Sequence, residues 1–112
     1  METLTITSTK PISLAELHAK ISPLWPVEPS DDDSLVVQGA STRAYLYSSA
    51  PVGSNLFEIS LDYSDVELAK SLLEIVADDA DITVDNDFGT ILPGNEFLSR
   101  CKTEKGWDWR RP

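Results

Sequence analysis

The stretch LFEISLDYSDVELAKSLLEIV, residues 56–76, decides the fold because it predicts a strand followed immediately by a helix. Within residues 56–63, apolar and polar side chains alternate with the period of two that is typical of a strand with one buried face. The apolar side chains that share one face of this strand are Phe57, Ile59 and Leu61. Residues 64–67, SDVE, match a capping box, and apolar residues then recur at helical spacing as far as about Asp78. Both elements bury their apolar sides when the helix packs on one face of an antiparallel sheet.

Patterns of the same two kinds extend the prediction over the rest of the chain. The further predicted strands are residues 3–8, 35–38, 41–48 and 81–85, and the further predicted helices are residues 13–22 and 95–105. The predicted loops are residues 23–33, which hold three prolines and an acidic run, residues 50–55 and residues 88–94. The order β-α-β-β-β-α-β-α predicts a single α+β domain over residues 1–112, with a mainly antiparallel sheet of about five strands and helices packed on one face. A ferredoxin-like layout is an alternative that the fifth strand and the third helix do not match cleanly.

Composition narrows the class of function. The chain of 112 residues has 19 acidic and 9 basic residues, so its formal net charge is −10. This charge argues against binding to nucleic acid or to an anionic membrane, because both require a positive surface. Residues 1–12 lack the apolar run of a signal peptide, and no apolar run is long enough to span a membrane. The single cysteine, Cys101, forms no internal disulfide, and we therefore expect a cytoplasmic protein.

The residues that most often carry catalysis are few. His18 is the only histidine and lies at the edge of the apolar stripe of the first helix, which favours a packed helix residue over a general base. Cys101 follows Phe97 and Leu98 at helical spacing and is expected to be a small buried apolar residue. A catalytic thiol requires a neighbouring base and an oxyanion site, and the sequence places neither beside Cys101. We predict that the protein is not an enzyme and has no cofactor.

The run of aspartates in residues 78–87 is a candidate calcium site, because hard cations prefer clustered carboxylates. If Asp85 is taken as the first position of an EF-hand loop, Asp87 and Glu96 fall at positions three and twelve. Gly89 and Thr90 then fall where the motif requires a ligand and a glycine. We predict no metal site and a solvated sheet edge in this region.

One face of the predicted sheet is the leading candidate for a partner-binding surface. If Ala44 and Leu46 point toward the core, the side chains on either side of them point outward, together with alternate acids of the strand at 56–63. The resulting set is Arg43, Tyr45, Tyr47, Glu58 and Asp62. Tyrosines surrounded by acids suit a basic protein partner. The alternative is that the tyrosines stabilise the sheet across strands.

The C-terminal segment is the second candidate for partner binding. From Arg100 onward, five basic and two acidic residues give a net charge of +3. Cations at the end of a helix oppose its dipole, but this does not account for Trp107 and Trp109. Tryptophan is a common interface anchor, and the alternative is that both tryptophans pack against the domain.

The C-terminal quarter contains four short motifs: NDFGT at 86–90 with the preceding Asp85, LPG at 92–94, EF at 96–97 and GWDW at 106–109. Together these motifs resemble a signature of an uncharacterised family of small acidic bacterial proteins. This resemblance implies no activity. In size, acidity and layout the chain is also similar in a general way to the immunity proteins of bacterial toxin systems, a similarity that assigns no functional residue.

Three hypotheses of different classes follow from these observations. The first is a non-enzymatic intracellular binding protein, of the immunity or inhibitor kind, that docks a basic protein such as a toxin nuclease. The second is a structural or regulatory subunit that self-associates through the tyrosine face or the tryptophan tail. The third is a metal protein or small enzyme that uses the aspartates of residues 79–87.

We predict that the protein unfolds cooperatively without any metal requirement. The capping signals of two helices and the alternation of the strands all predict the same structure. Such agreement is typical of a sequence that specifies a single fold. A thermal melt with and without a chelator is expected to give the same Tm. A drop of several degrees on chelation would revive the metal hypothesis.

Overall fold

The computed structural model describes residues 2–31, 33–49, 57–77, 82–86, 89–104 and 109. The strands of these ranges are β1 (Glu2–Ser8), β2 (Val27–Asp31), β3 (Ser34–Gln38), β4 (Arg43–Ser49), β5 (Phe57–Tyr63), β6 (Ile82–Asp85) and β7 (Ile91–Pro93). The helices are α1 (Leu14–Ile21), α2 (Val66–Val76) and α3 (Gly94–Thr103).

All the strands belong to one sheet with the order β2-β3-β4-β5-β1-β6-β7. Every neighbouring pair is antiparallel, and β1 lies between β5 and β6. The predicted α+β class with a mainly antiparallel sheet is therefore confirmed. The predicted number of about five strands is wrong, because the sheet has seven.

The two strands that the sequence did not predict are the edge strands. β2 lies in the predicted loop 23–33, and β7 lies in the predicted loop 88–94. Proline lacks the N–H that a ladder requires, so proline-containing segments read from sequence as loops, yet a sheet edge tolerates them. β2 is further interrupted by an irregularity of register between Pro29 and Asp31.

In β2, the register turns the nitrogen of Pro29 away from the sheet. The N–H of Gln38 donates to the carbonyl oxygen of Pro26 at 2.9 Å. Antiparallel pairs alternate between hydrogen-bonded and non-bonded, so the pair of Pro29 with Leu35 is a non-bonded one. The ladder therefore loses no hydrogen bond at Pro29.

The same alternation holds at the opposite edge. In the turn before β7, the N–H of Asn86 donates to the carbonyl oxygen of Thr90 at 3.0 Å. Counting from that pair, Pro93 opposite Thr83 is again a non-bonded pair, and its nitrogen faces away from β6. Each edge strand thus has a proline where a free N–H would otherwise face outward.

The apolar core lies on one face of the sheet. Leu35, Leu46, Leu61 and Leu4 lie opposite one another across β3, β4, β5 and β1, and all are almost fully buried. A second row of buried side chains, formed by Ile59, Ile6 and Val84, crosses β5, β1 and β6. The helices α1, α2 and α3 cover this face, and α2 contacts the other two.

The N-termini of α1 and α2 show which of the predicted residues cap the helices. Ser13 caps α1 as predicted, and its hydroxyl accepts a hydrogen bond from the N–H of Glu16 at 3.3 Å. α2 is capped by Asp65 rather than by Ser64, because the Asp65 carboxylate accepts from the N–H of Glu67 at 3.0 Å. A carboxylate at this position also favours the positive end of the helix dipole.

Trp109, three residues before the end of the sequence, completes the core. Its indole is fully buried, in edge-to-face contact with Tyr63 at a centroid distance of 5.8 Å and against Phe97 at 5.5 Å. The indole N–H donates to the Tyr63 hydroxyl at 2.5 Å, and the buried Asn86 amide donates to the Trp109 carbonyl oxygen at 2.6 Å. The side-chain amide oxygen of Asn86 also accepts a hydrogen bond from the N–H of Thr90 at 2.9 Å. This one side chain therefore links the end of β6, the turn before β7 and Trp109.

Trp109→Ala is expected to destabilise the protein strongly. Removing a fully buried tryptophan leaves a cavity and costs about 3–5 kcal/mol, which lowers Tm by more than about 10 °C in a domain of this size. Truncation after Gly106 is expected to do the same. The measurement is thermal unfolding followed by circular dichroism.

Trp25→Ala is the matched control, because Trp25 is only partly buried against the same core and its loss is expected to cost less. Equal Tm values for the wild type and the truncated chain would show that the tail is not packed in solution.

Candidate functional site

The sheet has a second face, here called the outer face, that points away from the helices. Its members are the strand residues that alternate with the buried rows. Those with described side chains include Thr3, Thr5, Thr7, Glu28, Val36, Arg43, Tyr45, Tyr47, Glu58, Ser60, Asp62, Thr83, Asp85 and Ile91. The face is therefore a polar surface of hydroxyl groups and carboxylates with a tyrosine pair at one side.

The residues predicted for the outward surface are brought together on this face. Ala44 and Leu46 are fully buried, so Arg43, Tyr45 and Tyr47 project from the other side of β4. The register sets Tyr45 opposite Asp62 and sets Tyr47 opposite Ser60, with Glu58 and Asp62 one pleat on either side of Ser60. Whether this surface binds a partner stays a prediction.

The two tyrosines stack along one strand. Their ring centroids are 6.3 Å apart and the ring planes differ by 20°. Across the strands, Tyr47 faces Ser34 and Ser60, and Tyr45 faces Val36 and Asp62. The tyrosines therefore do not pair with each other across strands, and Tyr47 keeps 40% of its surface exposed.

The carboxylates of the outer face are held apart by hydroxyl residues. Asp62 accepts a hydrogen bond from the Thr3 hydroxyl at 2.7 Å. Glu58 lies opposite Thr7, and Asp85 lies opposite Thr5. Among the described outer-face residues, four acids (Glu28, Glu58, Asp62 and Asp85) and one base (Arg43) give a net charge of −3.

Of the two tryptophans predicted as partner-binding residues, the structure describes Trp109. The Trp109 side chain is in the core, where it has no exposed surface to offer a partner, and it does not belong to the outer face. Trp107 lies outside the described residues.

Among the described residues weighed for catalysis or metal binding, Asp85 lies on the outer face, whereas His18, Cys101 and Glu96 lie on helices. His18 is partly exposed on α1, and Cys101 is half-buried on α3, packed against the core. Most of the aspartates of residues 78–87 lie outside the described residues. Within the described ranges, no three histidine, cysteine or acidic side chains are grouped so that they could hold a metal ion.

A cleft on the helix side is a feature that the sequence did not predict. It has a volume of about 480 Å³ and lies between α1, the end of α2 and the end of β1. Its charged lining residues are Lys10, Glu16, Lys20 and Glu74. Glu16 and Lys20 both lie on α1, whereas Lys10 precedes this helix and Glu74 comes from α2, so no local motif could have shown that all four meet. Their opposite charges balance.

No family model, curated protein or solved structure matches this chain. In the part of the chain that the structure describes, no helix has the length and apolar character needed to cross a membrane.

The Cys101 thiol is expected to react slowly. Burial raises its pKa above the ordinary value, outweighing the nearby Lys70 and Arg100 charges that act to lower it. At any pH near neutrality the folded protein therefore holds less thiolate than the unfolded chain, and thiolate is the reactive form. Alkylation by iodoacetamide between pH 7 and 9 is expected to be more than about tenfold slower in buffer than in urea. A faster reaction of the folded protein would indicate an activated thiol.

Proposed function

We propose that this protein is a non-enzymatic acidic binding protein that docks a basic protein partner through its outer face. The observation that carries the proposal is the stacked tyrosine pair, of which Tyr47 is exposed and Tyr45 partly exposed, on a sheet face that no described helix covers. Four carboxylates surround it against a single described base. An immunity or inhibitor role, in which the partner is a basic enzyme neutralised by docking, is the biological form that we propose for it.

Charge complementarity supports a basic partner over other partners. A net charge of −10 for the chain speeds the encounter with a basic protein and makes it depend on salt. The same carboxylates repel the phosphates of nucleic acid and of anionic lipid. Tyrosine supplies a rigid anchor of large area at low entropic cost, which slows dissociation once the partner is docked.

The chemistry of Cys101 supports a non-enzymatic role. A nucleophilic cysteine lies beside a base or a positive charge that lowers its pKa, whereas burial dominates here and raises it. The charged groups that act on this thiol are Lys70, Glu74, Arg100 and Glu67, and no histidine is among them.

Self-association through the tyrosine face is the competing hypothesis. In an isologous dimer the same face meets itself, so its carboxylates would approach those of the second copy. Like charges that meet at an interface cost several kcal/mol, which favours a basic partner over a second copy. A mass in solution that rises with concentration and is unaffected by salt would favour self-association.

The proposal is tested by capture from a lysate of the source organism in about 50 mM salt, followed by binding kinetics with the purified partner. The double variant Glu58→Gln/Asp62→Asn is expected to slow association and flatten its salt dependence, because both carboxylates lie on the docking face. Tyr45→Ala or Tyr47→Ala is expected to speed dissociation.

The control is Glu74→Gln/Glu96→Gln, which removes the same charge from exposed positions of α2 and α3. If this control weakens binding while the outer-face variants leave it unchanged, the docking surface lies on the helix side and the proposal is wrong.

A further inference from the structure

We infer that Tyr47, Glu58 and Asp62 form a binding site for an arginine side chain of the partner. This inference rests on the proposed function, since it names the group that the outer face recognises. It concerns a single position on that face, so it can fail while the docking face stands.

The register creates the space for such a side chain. Ser60 lies directly opposite Tyr47, and Thr5 lies opposite Ser60 on the far side. These two short side chains form a low floor beside the tyrosine ring. Glu58 and Asp62 are four residues apart on β5, a Cα separation of roughly 13 Å, and they border the floor at its two ends.

Two contacts fix the positions of the Tyr47 ring and the Asp62 carboxylate, which border the site. The Tyr47 ring stacks on Tyr45, which fixes the ring while leaving 40% of the Tyr47 surface exposed. The hydrogen bond of 2.7 Å from the Thr3 hydroxyl orients the Asp62 carboxylate. A site that is ordered before binding loses less entropy when the ligand arrives.

The shape of the site favours arginine over lysine. A guanidinium is planar, stacks on an aromatic face and presents five N–H donors at its edge. It can therefore lie against Tyr47 while its edge donors point toward the carboxylates at the two ends. A lysine ammonium is a compact point charge, so it satisfies one carboxylate or the ring, but not both ends together.

Arg43, the arginine among the described outer-face residues, does not fill this space. Arg43 lies on the same face of β4, but it is four residues from Tyr47, roughly 13 Å along the strand, with Tyr45 between them. Among the described residues, Arg43 therefore leaves the part of the site beside Ser60 unfilled.

The test uses two acetylated and amidated Gly/Ser dodecapeptides that carry three arginines or three lysines at the same positions. Binding is measured by fluorescence anisotropy in about 50 mM salt. The arginine peptide is expected to bind about three- to tenfold more tightly than the lysine peptide. Tyr47→Leu is expected to reduce this ratio to about one, whereas Tyr47→Phe keeps the ring and the preference.

The carboxylates have a matched control on the same face. Glu58→Gln and Asp62→Asn are expected to weaken binding of the arginine peptide several-fold more than Glu28→Gln does. Glu28→Gln removes the same charge from an exposed position of β2. Equal affinity for the two peptides, a preference that survives Tyr47→Leu, or no binding of the arginine peptide at 1 mM would each overturn the arginine site.

The same data distinguish failure of the site from failure of the proposed function. If both peptides bind equally well and both depend on Glu58 and Asp62, the docking face stands without an arginine site. If Glu28→Gln weakens binding of both peptides as much as the β5 variants do, the arginine site is wrong but the docking face stands. If the helix-side variant Glu74→Gln does so too, net charge alone governs binding and the docking face is wrong as well.

Discussion

The pairing of β1 with β5 is the interaction on which the rest of the structure depends. It joins residues almost 60 positions apart, as in the contact of Thr3 with Asp62. Without it, the inner rows through Leu4 and Ile6 are broken, and β1, β6 and β7 lose their connection to the other four strands of the sheet. The outer face depends on the same pairing, because it brings Thr5 next to Ser60 beside the Tyr47 ring. Closing so long a loop costs entropy before the contacts form, so this step is expected to be late and slow in folding.

The outer face shows how a sheet carries excess negative charge without losing stability. Like charges directly opposite each other on neighbouring strands are destabilising. In the described registers, Asp62 lies between Tyr45 and Thr3, and Asp85 lies between Thr5 and Ile91. Each carboxylate therefore has an uncharged residue on both sides, and its charge is directed toward solvent. The charge pattern needed for recognition is compatible with the packing needed for the fold.

Most of the interior pattern could be predicted from the sequence, because alternation and helical spacing are local signals. The inward positions of Ile59 and Leu61 and the Ser13 cap are examples. The edge strands could not be predicted, because Pro29 and Pro93 signal loops unless the register is known. Likewise, nothing in the sequence near Asn86 indicates that its side chain holds the carbonyl of Trp109, 23 residues away. The outward set on β4 and β5 was predicted, whereas the central position of Ser60 requires the strand pairing.

The prolines at the two edges also limit how copies or partners can assemble with this sheet. A strand that added to β2 or β7 would meet proline where it needs a donor, and its own carbonyl group would stay without a hydrogen bond. Growth of the sheet in its own plane is therefore disfavoured on both sides, and with it the open-ended stacking that leads to fibrils. Association through a face of the sheet is not disfavoured in this way, and each face has room for only a limited number of molecules. A protein built this way can be abundant and can expose a binding face without polymerising through its edges.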